Sequence, residues 1–343
     1  MTPCSPVAAQ ATQAYAAAME RLAEDLALVE GAMREQLVSA SEMLSALGDH
    51  VLASGGKRMR PALLLLAAEL CGYTGPRRIH VAAAVELLHT ATLLHDDVVD
   101  QSELRRGRPS ANALWGNRRA VLAGDYFYAR ASSLIVEDGD LDILWIFADT
   151  IRSMAEGELL QLQRSFDPSV TEAHYFQVIE RKSAVLLSAA CESGAILGGV
   201  TRAERRRLAE YGRELGLAFQ LRDDALDYED READLGKRPY GDLREGKVTL
   251  PLLLALKRST AAEREAVASL LKAVSLSAEP EAARARDLGP AIEVVKRYRG
   301  VEDTVRRAEE HARRARTAIA PFPDGGAQSD LLAAAEFAVS RDR

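Results

Sequence analysis

Residues 81–95 read VAAAVELLHTATLLH, a stretch that is apolar on nearly every helical face. A helix of that kind has no side to offer to water, so other helices must enclose it. It runs directly into Asp96-Asp97-Val98-Val99-Asp100, which puts three carboxylates at the end of a buried element. A second cluster of the same form, Asp223-Asp224-Ala225-Leu226-Asp227, follows Phe219 and Leu221 far along the chain. Residues four apart share a helix face, and like charges at that spacing destabilise a helix by a few tenths of a kcal/mol. Aspartate is also a weak helix former. Both clusters therefore call for something positive between their carboxylates. Carboxylates joined by water and phosphate oxygens suit Mg²⁺, a hard ion that takes few protein ligands and prefers a phosphate partner. An acidic solvated surface is the plainer reading; it suits the run Glu229 to Asp234, whereas apolar residues flank both clusters.

Amphipathic patterns predict helices near 15–46, 57–71, 77–99, 117–136, 140–163, 171–198, 203–229 and 249–273, with shorter ones near 302–319 and 328–341. Glycine and proline breakers separate them, and no strand pair is expected. The expected fold class is all-α: a large single-domain helical bundle with a central apolar cavity, where bundles place their ligand sites. Nothing resembling a linker divides the 343 residues, so residues 1–14 read as a flexible N-terminal segment and 15–343 as one domain. A net charge of −7 argues against a general nucleic-acid partner. Cys4, Cys71 and Cys191 are too scattered for a zinc site or a disulfide framework, which suits a reducing cytoplasm. The N-terminus lacks the basic-then-apolar order of a secretory signal. The longest largely apolar stretch, Pro61 to Leu70 with Glu69 inside it, is too short to cross a bilayer.

Basic residues gather in islands. Gly55-Gly56-Lys57-Arg58-Met59-Arg60-Pro61 puts three cations in a glycine-hinged turn entering a helix, where free N–H groups and the dipole also favour an anion. Arg105-Arg106-Gly107-Arg108 follows the first aspartate cluster, and Gly236-Lys237-Arg238 with Gly246-Lys247 follows the second. Arginine's planar fork suits phosphate. The cations exceed what one diphosphate needs, which points to two diphosphate substrates beside an apolar cavity, and hence to prenyl transfer.

From about residue 50 onward the chain resembles the trans-isoprenyl diphosphate synthases. The likeness rests on Gly55 to Pro61, on His89 to Asp100, on Arg105-Arg106-Gly107, Gly124-Asp125, Gly157-Glu158 with Gln161, and Lys182-Ser183. It continues through Phe219-Gln220, the second cluster, Lys237, Asp242, Gly246 to Pro251 and the closing Phe337 to Arg343. The resemblance implies the isoprenoid synthase fold, a homodimer, and about three Mg²⁺ per site held by Asp96, Asp100 and Asp223. Asp97, Asp224 and Asp227 would support them directly or through water. Arg105, Lys182, Lys237 and Lys247 would bind the allylic diphosphate, and Asp96, Asp97, Asp100, Arg105, Lys182, Asp223, Asp224 and Lys237 would form the catalytic set. Lys57, Arg60, His89 and Arg106 would take isopentenyl diphosphate, while Ser183 and Gln220 contact ligand or hold the lysines. Two departures are visible: Ser183 stands where the family has threonine, and Tyr240 with a shifted Gly241 alters the loop after Lys237.

Short-chain members carry an aromatic plug one or two turns before the first aspartate. Here Thr92, Ala91 and Leu88 stand at those places. An open tunnel follows, bounded by helices of about 25 residues, roughly 37 Å long, with Phe147, Trp145 and Ile135 as candidate floor. The expected product is octaprenyl to decaprenyl diphosphate for a quinone side chain, with possible peripheral membrane contact for its release. A short-chain farnesyl or geranylgeranyl synthase and a non-catalytic regulatory subunit are the alternatives. A phosphohydrolase dyad at His95-Asp96 lacks further histidines at ligand spacing, and a terpene cyclase would lack the Lys57–Arg60 island and the second full cluster. His95 and Trp115 read as packing residues. Arg205-Arg206-Arg207 and His311 to Arg316 read as solvated helix faces.

Overall fold

A computed structural model describes residues 6–39, 41–53, 55–229, 240–276 and 287–341. The described residues are almost entirely helical, and their contacts divide into two compact units. The first comprises Met1–Ile151, Leu186–Gly212 and Arg316–Ala334; the second comprises Arg152–Val185, Arg213–Ala315 and Ala335–Arg343.

The first unit holds α1 (Pro6–Arg21), α2 (Ala23–Gln36), α3 (Glu42–Ala53), α4 (Met59–Leu70), α5 (Arg77–Val99), α6 (Ala111–Trp115) and α7 (Asn117–Asp138). It also contains the start of α8 (Leu141–Gln163), nearly all of α10 (Val185–Leu197) and the first part of α11 (Arg202–Leu226). Every residue from Val81 to Leu88 is buried, and α5 packs against α2, α4, α6 and α7. The all-apolar stretch is thus the enclosed helix that its composition predicts. Close backbone approach assists: a Cβ on Gly194 of α10 would lie 2.6 Å from the Leu64 carbonyl of α4.

The second unit holds the end of α8, α9 (Glu172–Ile179) and the second part of α11. It adds α12 (Gly241–Arg244), α13 (Leu250–Arg258), α14 (Ala261–Ser275), α15 (Gly289–Arg297), and shares α16 (Gly300–Ile319) and α17 (Gly326–Ser340) with the first. The unit boundary therefore cuts through helices rather than a linker. Its core is aliphatic, with Leu217, Leu221, Leu250, Leu253, Leu271 and Val295 among the buried residues.

Several predicted elements differ in detail. The stretch 15–46 is three helices, and helix already begins at Pro6. Hydroxyl groups end the pattern after Gln36: Ser39 Oγ accepts from Ser41 N–H, and Ser41 Oγ accepts from Leu44 N–H, offering the backbone a turn instead. The stretch 249–273 breaks at Ser259-Thr260, where Thr260 and Glu263 form a reciprocal capping box that starts α14. Helix 171–198 is interrupted by a single π turn at Glu180–Ala184, which carries Lys182 and Ser183; such turns concentrate at functional sites. A two-residue antiparallel ladder, Leu104–Arg105 with Arg108–Pro109, corrects the expectation of no strand pairing. Arg106 (φ 52°) and Gly107 (φ 75°) close it with both central residues left-handed, the arrangement a two-residue hairpin loop requires. His311 is not on a solvated face: it is buried, and its Nδ1 lies 2.6 Å from Glu214 Oε2. Arg313, Arg314 and Arg316 are exposed as predicted. Among the described residues no helix is long and apolar enough to cross a membrane.

Candidate active site

The first unit carries one half of the candidate residues. Helix α5 ends immediately after the aspartate cluster in a Schellman motif: Ser102 N–H reaches the Asp97 carbonyl (2.9 Å), Gln101 N–H reaches Val98 (3.3 Å), and Gln101 takes the left-handed conformation. Asp96, Asp97 and Asp100 therefore occupy the last turn, where the helix dipole is negative and favours cations. Asp97 is buried and neutralised by Arg105, whose Nε and Nη2 donate to its Oδ1 at 2.8 and 2.5 Å. Asp96 and Asp100 are half-buried. The hairpin holds Arg105 on its first strand and Arg106 at its tip.

The glycine-hinged turn meets that hairpin. A Cβ on Gly56 would stand 2.9 Å from Arg106 Nη1, so glycine is what lets the guanidinium lie against the loop. Gly55 (φ 65°) and Arg58 (φ 45°) are both left-handed. Arg58 is held there by Glu30 (2.9 Å) and by buried Glu86 (3.0 Å), a strained residue fixed by its surroundings. His89 is half-buried on α5, and burial together with Arg60, Arg106, Arg105 and Arg58 keeps its imidazole well below the usual histidine range. The ring is neutral and can donate a single N–H to an anion. Burial and the neighbouring Arg105 and Arg58 also lower the Arg106 pKa.

Leu88 and Ala91 are each 2% exposed and Thr92 is half-buried, its Oγ1 donating to the His89 carbonyl at 2.8 Å. Ile135 and Phe147 are buried too, but Trp145 is 73% exposed. Trp145 therefore is not a floor within this chain; its position on α8 faces outward. His95 packs as expected, its Nε2 at 3.1 Å from the Val121 carbonyl and 3.4 Å from Asp125 Oδ1. Any Cβ on Gly124 would collide with its ring, which accounts for the Gly124-Asp125 pair.

The second unit carries the other half. Asp223 and Asp224 again occupy the last turn of a helix, α11, with Asp227 just beyond it. Each carboxylate is handled differently. Asp227 accepts the N–H groups of Gly241 (3.0 Å) and Asp242 (3.1 Å), fixing the start of α12. Asp224 is buried, with Oδ2 bonded to the Tyr175 hydroxyl (2.5 Å) and Oδ1 to Gln220 Nε2 (2.8 Å). Burial pushes its carboxyl up to about 7, with Asp223 and Asp227 adding to the rise and the Tyr175 and Gln220 bonds opposing it. Asp223 is half-buried, with 44% of its side chain exposed, and its Oδ1 meets Arg341 at 2.6 Å. That arginine comes from the chain's end, is buried, stacks 3.5 Å over the Phe219 ring and donates to the Phe219 carbonyl at 2.9 Å.

Lys182 lies in the π turn, ion-paired with Glu158. Gly157 lets this turn approach α8: a Cβ there would sit 2.9 Å from both Arg181 Cβ and the Lys182 backbone nitrogen. Ser183 Oγ donates to Gln220 Oε1 at 2.8 Å, so the hydroxyl that replaces threonine is used. Lys247 pairs with Glu245 at 2.6 Å. Lys182, Ser183, Gln220, Asp224, Asp242 and Lys247 line one cleft of about 160 Å³, walled by Val170, Val178, Ile179 and Tyr175. Lys237, with Gly236 and Arg238, lies outside the described residues. Tyr175, Arg341 and the Arg58–Glu86 pair were not identified as site residues from sequence; a lone tyrosine, a terminal arginine and an in-helix glutamate give no spacing signal.

The donor set fits a magnesium ion of limited protein ligation. Among the described residues no three His, Cys, Asp or Glu side chains are gathered as a preformed metal cage. Mg²⁺ takes one or two carboxylates and completes its octahedron with water and substrate phosphates. Half-buried Asp96 and Asp100, in one helix turn of the first unit, suit that role, and in the second unit so does half-buried Asp223; Asp224 and Asp227 have both oxygens engaged.

Residues 41–286 match the polyprenyl synthetase family. Octaprenyl diphosphate synthase of Escherichia coli (strain K12) is 42% identical over 325 residues, spanning 94% of this chain and 98% of the relative. A crystal structure of a polyprenyl synthase from Caulobacter crescentus CB15, complexed with calcium and isoprenyl diphosphate, superposes with a TM-score of 0.88 at 42% identity, covering 96% of this chain and 98% of that one. A decaprenyl diphosphate synthase from Rhodobacter capsulatus gives 0.87 at 39% identity, covering 96% and 99%. With an all-α fold, two helix-terminal aspartate clusters and near-complete coverage by such relatives, the chain belongs to the polyprenyl synthetase family.

Proposed function

We propose that the protein is a long-chain all-trans polyprenyl diphosphate synthase. It condenses isopentenyl diphosphate with an allylic diphosphate such as farnesyl diphosphate, forming octaprenyl to decaprenyl diphosphate for a quinone side chain. The observation that carries this is the placing of both aspartate clusters at the carboxyl ends of helices, in a chain 42% identical to an octaprenyl diphosphate synthase. Carboxylates are least stable there, and bound cations relieve them. Residues 15–343 act as one synthase domain.

Asp96 and Asp100 of the first unit, and Asp223 of the second, would hold Mg²⁺. Mg²⁺, when bound, stabilises the charge that develops on the leaving diphosphate. Arg105, Lys182, Lys237 and Lys247 bind that diphosphate and are worth more where water is excluded. Asp97 fixes the Arg105 fork, and Glu158 holds Lys182 until the ligand competes for it. Lys57, Arg60, neutral His89 and Arg106 take the isopentenyl diphosphate. Its double bond attacks the allylic cation, and a proton leaves to the departing diphosphate, so no protein nucleophile is required. The apolar surroundings keep water from quenching the cation. Replacing Gly56 by valine displaces the Arg106 guanidinium; steady-state kinetics should show the KM for isopentenyl diphosphate raised about ten-fold, the order of one lost charge-assisted bond, with the allylic KM little changed.

Val121, Leu122 and Val136 on α7 and Leu141 and Trp145 on α8 expose large apolar side chains. An isologous homodimer covers such a surface, and light scattering at twice the chain mass checks it. The protein works in the cytoplasm, which suits the unpaired Cys71 and Cys191, and touches the membrane peripherally at product release. The test of function is incorporation of isopentenyl diphosphate into extractable lipid with farnesyl diphosphate and Mg²⁺. Chelation should abolish it; no incorporation with any allylic primer would move the reading to a non-catalytic subunit.

A further inference from the structure

Four side chains in the second unit form one continuous hydrogen-bonded chain. Ser183 Oγ donates to Gln220 Oε1 (2.8 Å), Gln220 Nε2 donates to Asp224 Oδ1 (2.8 Å), and the Tyr175 hydroxyl donates to Asp224 Oδ2 (2.5 Å). The chain joins three elements: α9, the π turn that carries Lys182, and the end of α11. Tyr175 is buried, and its ring stands edge-on to Phe176 at 5.4 Å, so the hydroxyl has a fixed direction. A carboxylate with both oxygens bonded cannot rotate without breaking one of them. Bonds of this charge-assisted kind are short and strong.

We infer that Tyr175 is a positioning residue for the metal- and diphosphate-binding half-site, locking Asp224 so that the neighbouring Asp223 and the Lys182 turn keep a fixed relation. This deepens the proposed function and rests on it. Partners that orient ligating groups typically change metal affinity 10- to 100-fold when removed. Without the hydroxyl, Asp224 is free to turn toward the cation or away from Gln220, and the order of the π turn falls with it. No contact of Tyr175 with the reacting atoms is required.

The test compares wild type, Tyr175→Phe, Asp224→Asn and the double variant, each shown to be folded by its Tm. Free Mn²⁺ is measured by electron paramagnetic resonance during titration, in the presence of an unreactive allylic thiodiphosphate. Tyr175→Phe should weaken Mn²⁺ uptake about ten-fold and raise the allylic KM, while the KM for isopentenyl diphosphate stays within about two-fold. In the Asp224→Asn background, where the charge and one of the two acceptor oxygens are gone, the same change should have a clearly smaller effect. An unchanged Mn²⁺ affinity, or an effect of equal size in both backgrounds, overturns the assignment and leaves Tyr175 as packing. If Tyr175→Phe does not fold, Gln220→Leu carries the same comparison. A wild-type protein that takes up no Mn²⁺ with the analogue overturns the proposed function itself.

Discussion

Asp96→Asn lowers kcat for prenyl transfer by at least about 10³-fold, the scale of losing a principal electrostatic stabiliser of the transition state. The fold should survive. Asp96 lies in the last turn of α5, with Asp100 four residues on and the Schellman motif closing the helix behind them. A carboxylate there opposes the dipole and repels its neighbour, effects of about 0.3–1 kcal/mol and a few tenths respectively. Neutralising it removes those terms, so the Tm should stay within about 2 °C of wild type or rise. Activity lost with stability kept is the signature of a residue retained for function. A variant that instead melts much earlier, or keeps near-normal kcat, would remove Asp96 from the metal site. The comparison with Asp97→Asn is instructive. That change strips a buried partner from Arg105 and should cost stability as well as rate, because it leaves a half-buried guanidinium without its anion.

Ala91→Phe should shorten the product to about five isoprene units or fewer, since one aromatic ring one turn and a half before Asp96 spans much of a passage bounded by a helix of roughly 35 Å. Ala91 is 2% exposed, so besides narrowing the passage the ring presses on the neighbours that enclose it. Overpacking of that kind costs about 1–3 kcal/mol. A shift in chain length must therefore be read at a temperature below the variant's own transition, with turnover of the first condensation as the control. Retained long product with normal first turnover would mean that the growing chain does not pass Ala91. Thr92→Phe differs usefully, because Thr92 is only half-buried and should accept the ring at lower cost.

The sequence told most where composition and period forced one answer. Val81 to Leu88 could only be enclosed, and they are. The aspartate clusters conflicted with helix electrostatics, and such conflicts mark functional positions. What period could not show was local geometry. The π turn at Glu180–Ala184 has the same apolar rhythm as an α-helix, and the hairpin at Leu104–Pro109 is too short for any alternation. Burial of His311 hung on one distant glutamate, Glu214, and neighbouring arginines masked it. Tyr175 and Arg341 reach their aspartates from 49 and 118 residues away, the difference between their numbers and those of Asp224 and Asp223; no spacing rule links such pairs. Nor does composition tell which side of a helix meets the cavity. Trp145 is bulky and apolar, yet its side of α8 faces outward.

The most direct test of the central claim is product length. Purified protein is incubated with isopentenyl diphosphate, farnesyl diphosphate and Mg²⁺, and the dephosphorylated lipid is read by mass spectrometry. A ladder ending at roughly eight to ten isoprene units, a tail of the length the helices can sheathe, is the predicted result. Termination at about four or five units would keep the chemistry and contradict the open passage at Thr92, Ala91 and Leu88, and no elongation at all would contradict the synthase.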